Sequence, residues 1–142
     1  MISQLTIFLQ NKEGRLASAC RALGDAGVNM RSLCIADTRD FGVVRIICDT
    51  PRKACDHLVE EGFRATLVPV IAVKVGDRPG GLASLLELLD EKGMNVEYGY
   101  CFSYQEGEDA IDVLKISDEA VELVLKDAGY QLLDPADLYV ED

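Results

Sequence analysis

The sequence repeats itself at a spacing of 66 residues. Asn11, Lys12, Gly14, Leu16, Ala17 and Ser18 return without a gap as Asp77, Arg78, Gly80, Leu82, Ala83 and Ser84; Leu23, Asp25, Gly27 and Asn29 return as Leu89, Glu91, Gly93 and Asn95. A repeat of this length is one supersecondary unit written twice, so an architecture assigned to either half has to serve for both. Later the register slips by one. Glu60-Glu61-Gly62-Phe63 matches Lys126-Asp127-Ala128-Gly129-Tyr130 only if a residue is added, and the polar run Gln105-Glu106-Gly107-Glu108 is the natural place for it.

In the first copy Leu5, Ile7 and Leu9 alternate as in a strand, and Leu16, Ala19, Cys20 and Leu23 recur on one helical face. Gly27 is placed to stop that helix. Val28 to Ala36 and Gly42 to Cys48 are β-rich runs around the turn-like Thr38-Arg39-Asp40. Asp49-Thr50-Pro51 then reads as a capped helix start with proline in the first turn, and Cys55, Leu58 and Val59 are that helix's expected buried face. The second copy repeats the pattern. It has a strand at Val70 to Val75, a helix on Leu82, Leu85, Leu86 and Leu89, strands at Met94 to Tyr104 and Asp109 to Ile116, and a helix on Ala120, Val121, Val124 and Leu125. Leu16 and Leu82 are expected to head the buried faces of the two leading helices.

The order β-α-β-β-α-β thus appears twice, predicting an α+β chain of two ferredoxin-like units in tandem, 1–68 and 69–142. Each has an antiparallel sheet with its helices on one face. Almost no linker separates them, because Ala65 to Val75 stays strand-like through Pro69. Small units with a one-sided sheet favour association, and a symmetric homodimer is the commonest form it takes.

Asp and Glu outnumber Lys and Arg by 25 to 14, for a net charge of −11. That balance repels phosphate backbones and anionic headgroups, which argues against nucleic acid and membranes as partners. The five cysteines form no C-x-x-C pair, and His57 stands apart from any acid or thiol at ligand spacing, so neither a metal site nor a cofactor is expected. With no basic, apolar leader at Met1-Ile2-Ser3-Gln4, and with Pro69 and Lys74 interrupting the longest apolar run, the reading is a cytoplasmic protein.

In both copies a polar loop with a central glycine leaves the first strand and enters a helix. Unpaired backbone N–H groups converge there, which suits a carboxylate or phosphate. The second loop, Asp77-Arg78-Pro79-Gly80-Gly81-Leu82, adds a proline that sets one φ and glycines that let a ligand approach the backbone. Asn29 and Asn95 follow the helices with amides that both donate and accept. The same features also serve as plain strand-to-helix turns and helix stops.

The pattern D-x-P-G-x-L, then a helix, then G-x-N-[IV], on a β-α-β-β-α-β unit, resembles the ACT domain, a regulatory module that binds amino acids. The whole chain is similar to a tandem pair with no attached enzyme. The second copy matches at Asp77, Pro79, Gly80, Leu82, Gly93, Asn95 and Val96, whereas the first has Asn11 for the aspartate and Glu13 for the proline. The resemblance implies a free amino acid held where two units meet, by the glycine loop of one and the start of the second strand of the other. Carried over, that site comprises Asn11, Lys12, Glu13, Gly14, Arg15 and Leu16 with Asn29 and Met30, and Asp77, Arg78, Pro79, Gly80, Gly81 and Leu82 with Asn95 and Val96. Loop N–H groups would take the α-carboxylate, and Asp77, Asn11 or the asparagine carbonyls the α-ammonium. A partner metabolic enzyme would read the result.

One asymmetry belongs to this sequence itself. Ser32, Cys34 and Ala36 correspond to Tyr98, Tyr100 and Phe102, with Tyr104 continuing the alternation. The large residues serve either as packing or as an aromatic wall against a ligand. Two other functions stay open beside the sensor: an oligomerisation module whose glycine loops are only structural, and an acylphosphatase-like enzyme using Arg15 or Arg78 with Asn29 or Asn95. The enzyme is disfavoured because no nucleophile–base pair, metal cluster or phosphate-binding glycine loop of the Walker kind appears, so no catalytic residue is assigned.

Overall fold

The computed structural model describes residues 1–10, 12–37, 41–104 and 107–142. Asn11, the turn Thr38-Arg39-Asp40 and the pair Gln105-Glu106 lie outside the described residues. The elements run β1 (Ile2–Gln10), α1 (Arg15–Asp25), β2 (Met30–Asp37), β3 (Phe41–Cys48), α2 (Pro51–Glu60), β4 (Arg64–Val75), α3 (Gly81–Glu91), β5 (Tyr98–Ser103), β6 (Ala110–Lys115), α4 (Val121–Asp127) and α5 (Pro135–Leu138). Two compact units result. Ser3–Val68 with Pro135–Asp142 make the first, and Pro69–Asp134 with Met1–Ile2 the second. Among the described residues no helix is long and apolar enough to cross a membrane.

In the first unit the strand order is β2-β3-β1-β4. Antiparallel pairing sets Leu5 opposite Ile46 and Ile7 opposite Val44, so the alternating residues of both strands share one face. That face packs Leu5, Ile7, Leu9, Val44, Ile46 and Cys48 against Ala19 and Leu23 of α1 and Ala54 and Leu58 of α2. Each fully buried leucine or isoleucine contributes about 2 kcal/mol of transfer free energy. In the second unit β4-β6-β5 are neighbours, and Ile71, Val73, Val75, Leu114 and Ile116 pack against Leu85 and Leu89 of α3 and Val121 and Leu125 of α4. A fourth strand shrinks here to a bridge between Val73 and Leu132, flanked by Lys74 N–H to the Gln131 carbonyl and Leu133 N–H to the Ala72 carbonyl.

Helix stops follow the glycines. Gly27 and Gly93 take φ of 74° and 69°, and the next residues, Val28 and Met94, donate back to the carbonyls of Leu23 and Leu89. Helix faces depart from expectation at three leucines, a valine and an alanine, for Ala120 is the exposed N-cap of α4 and not part of its buried face. Leu82 is 44% exposed and Leu86 is also exposed, because α3 buries Gly81, Leu85 and Leu89, and the residue after Leu85 is turned about 100° away from it. Leu16 is half-buried, and Val59 is 53% exposed because α2 turns Pro51, Ala54 and Leu58 inward. Strand β5 begins at Tyr98, leaving Met94 to Glu97 outside it.

The start of α2 is capped from afar. Thr50 sits at the N-cap in the left-handed region, φ 43° and ψ 59°, and makes no side-chain cap. Instead the Asp142 carboxylate accepts from Arg52 N–H at 3.1 Å and Lys53 N–H at 2.8 Å, which satisfies two donors that a helix start leaves open. Thr50 N–H donates to the Val140 carbonyl at 2.7 Å, and Val140 N–H returns a bond to Asp49 Oδ1 at 2.8 Å. Arg31 grips Asp49 with both Nε, at 3.1 Å, and Nη2, at 2.8 Å. These bonds, from Arg31 first and then from the Val140 amide, hold the Asp49 carboxyl below its ordinary range. Because the unfolded chain then binds the proton first, this stability is complete above the ordinary carboxylate pKa and drains away as pH falls through the lowered one. Urea midpoints across acidic pH are expected to fall less steeply in Asp49→Asn than in wild type, and parallel curves would remove Asp49 from the acid response.

Candidate functional site

The two glycine loops are built by the same bonds. Lys12 N–H donates to the Gln10 carbonyl at 2.7 Å and Arg15 N–H to the Lys12 carbonyl at 3.3 Å; Arg78 N–H donates to Gly76 and Gly81 N–H to Arg78, each at 3.0 Å. Gly14 and Gly80 are the N-caps of α1 and α3, with φ of 84° and 82°, a region that favours glycine. The repeated serine now has a reason. Ser18 Oγ and Ser84 Oγ donate to the carbonyls of Gly14 and Gly80 at 2.9 and 3.0 Å, bracing each cap from the first turn. With Gly81 N–H and Ser84 N–H used locally, the second loop still presents the N–H groups of Gly80, Leu82 and Ala83 at the start of α3. Helix geometry gives these no partner within the helix.

Gly80 and Gly81 do different jobs. A Cβ on Gly80 would meet nothing within 4 Å, so only its φ requires glycine, whereas a Cβ on Gly81 would lie 2.2 Å from the Gly76 carbonyl oxygen. Gly81 therefore brings α3 hard against the end of β4. The equivalent residue of the first copy is Arg15, whose guanidinium stacks on the Phe63 ring at 4.8 Å. Arg78 folds back over Gly76, with a guanidinium nitrogen 3.4 Å from where a Cβ would stand.

Lys12, Glu13 and Gly14 are exposed in the first loop, as are Asp77, Arg78, Pro79 and Gly80 in the second. Within a unit the structure does not bring loop and asparagine together. α1 and α3 have 11 residues each, and a helix of that length spans about 16 Å between the loop at one end and the asparagine beyond the other. Asn29 is exposed and its carbonyl accepts from Asp49 N–H at 3.0 Å, beside exposed Met30. Asn95 and Val96 line a shallow groove of about 360 Å³ with Leu86, Asp90, Gly93 and Met94.

The aromatic alternation is interrupted by a register shift between Cys101 and Ser103, and Tyr104 lies beyond the end of β5, near Asp77. Hydrogen bonding to the nearby Asp77 carboxylate, with its charge, pushes the Tyr104 phenol's pKa up. Tyr98 and Tyr100 lie opposite Lys115 and Val113 on β6, on the sheet face away from α3 and α4, and are half-buried. Tyr104 is 61% exposed. All five cysteines are free; burial, aided by Asp49, Asp142 and Cys55, pushes the Cys48 thiol up to about 12 and makes it a poor nucleophile. Among the described residues no group of His, Cys, Asp or Glu is placed to hold a metal ion.

Among solved structures the chain is similar to a protein of Bacteroides thetaiotaomicron, BT0572, at 35% identity and a TM-score of 0.89, over 96% of this chain and 94% of that one. It shares its fold with the regulatory subunit of aspartate kinase from Thermus thermophilus, in its ligand-free form, at 20% identity and a TM-score of 0.64 over 89% of each chain. The corresponding Thermus flavus subunit matches at 21% identity and a TM-score of 0.60, over 87% of this chain and 88% of that one. No curated protein sequence matches. The model of the ACT domain pair covers residues 1–138, so the chain belongs to the ACT domain pair family.

Proposed function

We propose that this ACT pair is a non-catalytic sensor that binds a free amino acid at the second glycine loop and conveys its presence to a separate metabolic enzyme. The observation that carries this reading is the start of α3. There Gly80, Leu82 and Ala83 offer backbone N–H groups to an α-carboxylate, and the exposed Asp77 carboxylate stands in the same loop for the α-ammonium. Because the loop and the asparagine of one unit are a helix length apart, a second copy of the chain in a homodimer would supply Asn95 to the ligand. The regulatory subunits of aspartate kinase that share the fold are in keeping with a chain that acts on another enzyme in the cytoplasm. The first loop, with Asn11 and Glu13 in place of aspartate and proline, has no charged acceptor at the position of Asp77 and is the weaker of the two.

Linkage requires the ligand to prefer one packing of the dimer, and the enzyme to read that packing. A thermal-shift screen against the twenty common amino acids tests the binding. At a hundred times its Kd, a ligand stabilises the fold by about 2.7 kcal/mol. Asp77→Asn is expected to weaken that binding about tenfold, because it removes a charge-assisted bond to the ammonium. Gly80→Val is expected to abolish it by straining a residue held at positive φ. No shift with any amino acid would leave an oligomerisation module as the better reading.

A further inference from the structure

At the end of the second unit where β4 leads into the glycine loop, a groove of about 610 Å³ is lined by Lys74, Ser103, Tyr104, Glu108, Asp109 and Ile111. Lys74 and Ser103 both lie opposite Ile111 of β6, so the groove follows the ends of three neighbouring strands. Its volume is within the range of small-molecule sites, about 300–1,000 Å³. Lys74 of the groove is followed through Val75 by the loop itself, and Tyr104, also of the groove, lies near the loop's Asp77 carboxylate. The two features are therefore contiguous.

We infer that this groove is the side-chain compartment of the second loop's ligand, that Tyr104 joins it to Asp77, and that the compartment selects amino acids with polar side chains. The inference rests on the amino-acid reading of that loop. A ligand whose ammonium meets Asp77 is set beside Tyr104, and the groove beyond is lined by Lys74 with Glu108 and Asp109. Ile111 is the one aliphatic residue of the six that line it. A side chain carrying donors or acceptors pairs with these groups, whereas an aliphatic one takes away their water and returns nothing. Asp77 has room for both partners, since a carboxylate accepts at several lone pairs. The first copy has an uncharged pair at the matching sequence positions, Asn11 and Thr38.

Calorimetric titration of the full chain with each of the twenty common amino acids, in wild type, Tyr104→Phe and Lys74→Met, tests this. The tightest wild-type ligands are expected to carry polar side chains. Both variants, at unchanged melting temperature, are expected to bind them about tenfold more weakly while aliphatic amino acids change little, so that the rank order compresses. Tight binding led by aliphatic amino acids, or an unchanged rank order in both variants, would overturn the compartment and leave the loop site standing. No binding by wild type would remove both.

Discussion

Gly81→Ala is expected to destabilise the second unit by about 3 kcal/mol, read as a lower urea midpoint. The direction runs against helix propensity, by which alanine is the better residue by about 1 kcal/mol. The reason is the Cβ position, 2.2 Å from the Gly76 carbonyl oxygen. That obstacle is main chain at the end of β4 and cannot rotate aside like a side chain. Relief requires lifting the first turn of α3, which also breaks the Gly81 N–H bond to Arg78 and carries the loop's open N–H groups with it. An unchanged midpoint would mean that the helix start is free to move, and would undercut the rigid geometry on which the proposed site depends.

Leu85→Ala is expected to cost about 2–5 kcal/mol, the range for a leucine deleted from a closed core. Leu85 is fully buried among Ile71, Val73, Leu89 and the α4 residues Val121 and Leu125. The control is three residues earlier. Leu82, 44% exposed on the flank of the same helix, is expected to change stability by no more than about 0.5 kcal/mol on replacement by alanine. Equal losses at the two positions would mean that the flank of α3 is covered in solution, for which a second copy of the chain is the first candidate.

These two helix positions also mark how far the sequence could be read. Period-two alternation at Leu5, Ile7 and Leu9 placed β1, and the glycines at 27 and 93 placed the ends of α1 and α3, because each rests on a local rule. The face of α3 did not follow from its leucines. Leu82, Leu85, Leu86 and Leu89 spread over more of the helix than the core covers, and the sheet beneath, not hydropathy, selects Leu85 and Leu89. Gly81 looked like a residue for ligand approach, but its tight fit against Gly76 depends on where β4 ends. The sequence points to Asp49 and Thr50 for the cap on α2, which comes instead from Asp142, a tertiary contact with no local signature. The approach of Tyr104 to Asp77 is of the same kind. Alternation extends the stripe to Tyr104, but the register shift between Cys101 and Ser103 interrupts it, and only the folded unit brings Tyr104 near the loop. The loop itself was legible, because matching bonds at matching positions produce the same turn twice.

The amide spectrum of the full chain during titration with amino acids tests the central proposal most directly. Saturable displacement of the Gly80, Leu82 and Ala83 amides by at least one amino acid is the expected result. Saturable binding that leaves those three amides unmoved, or no saturable change with any of the twenty, would contradict it.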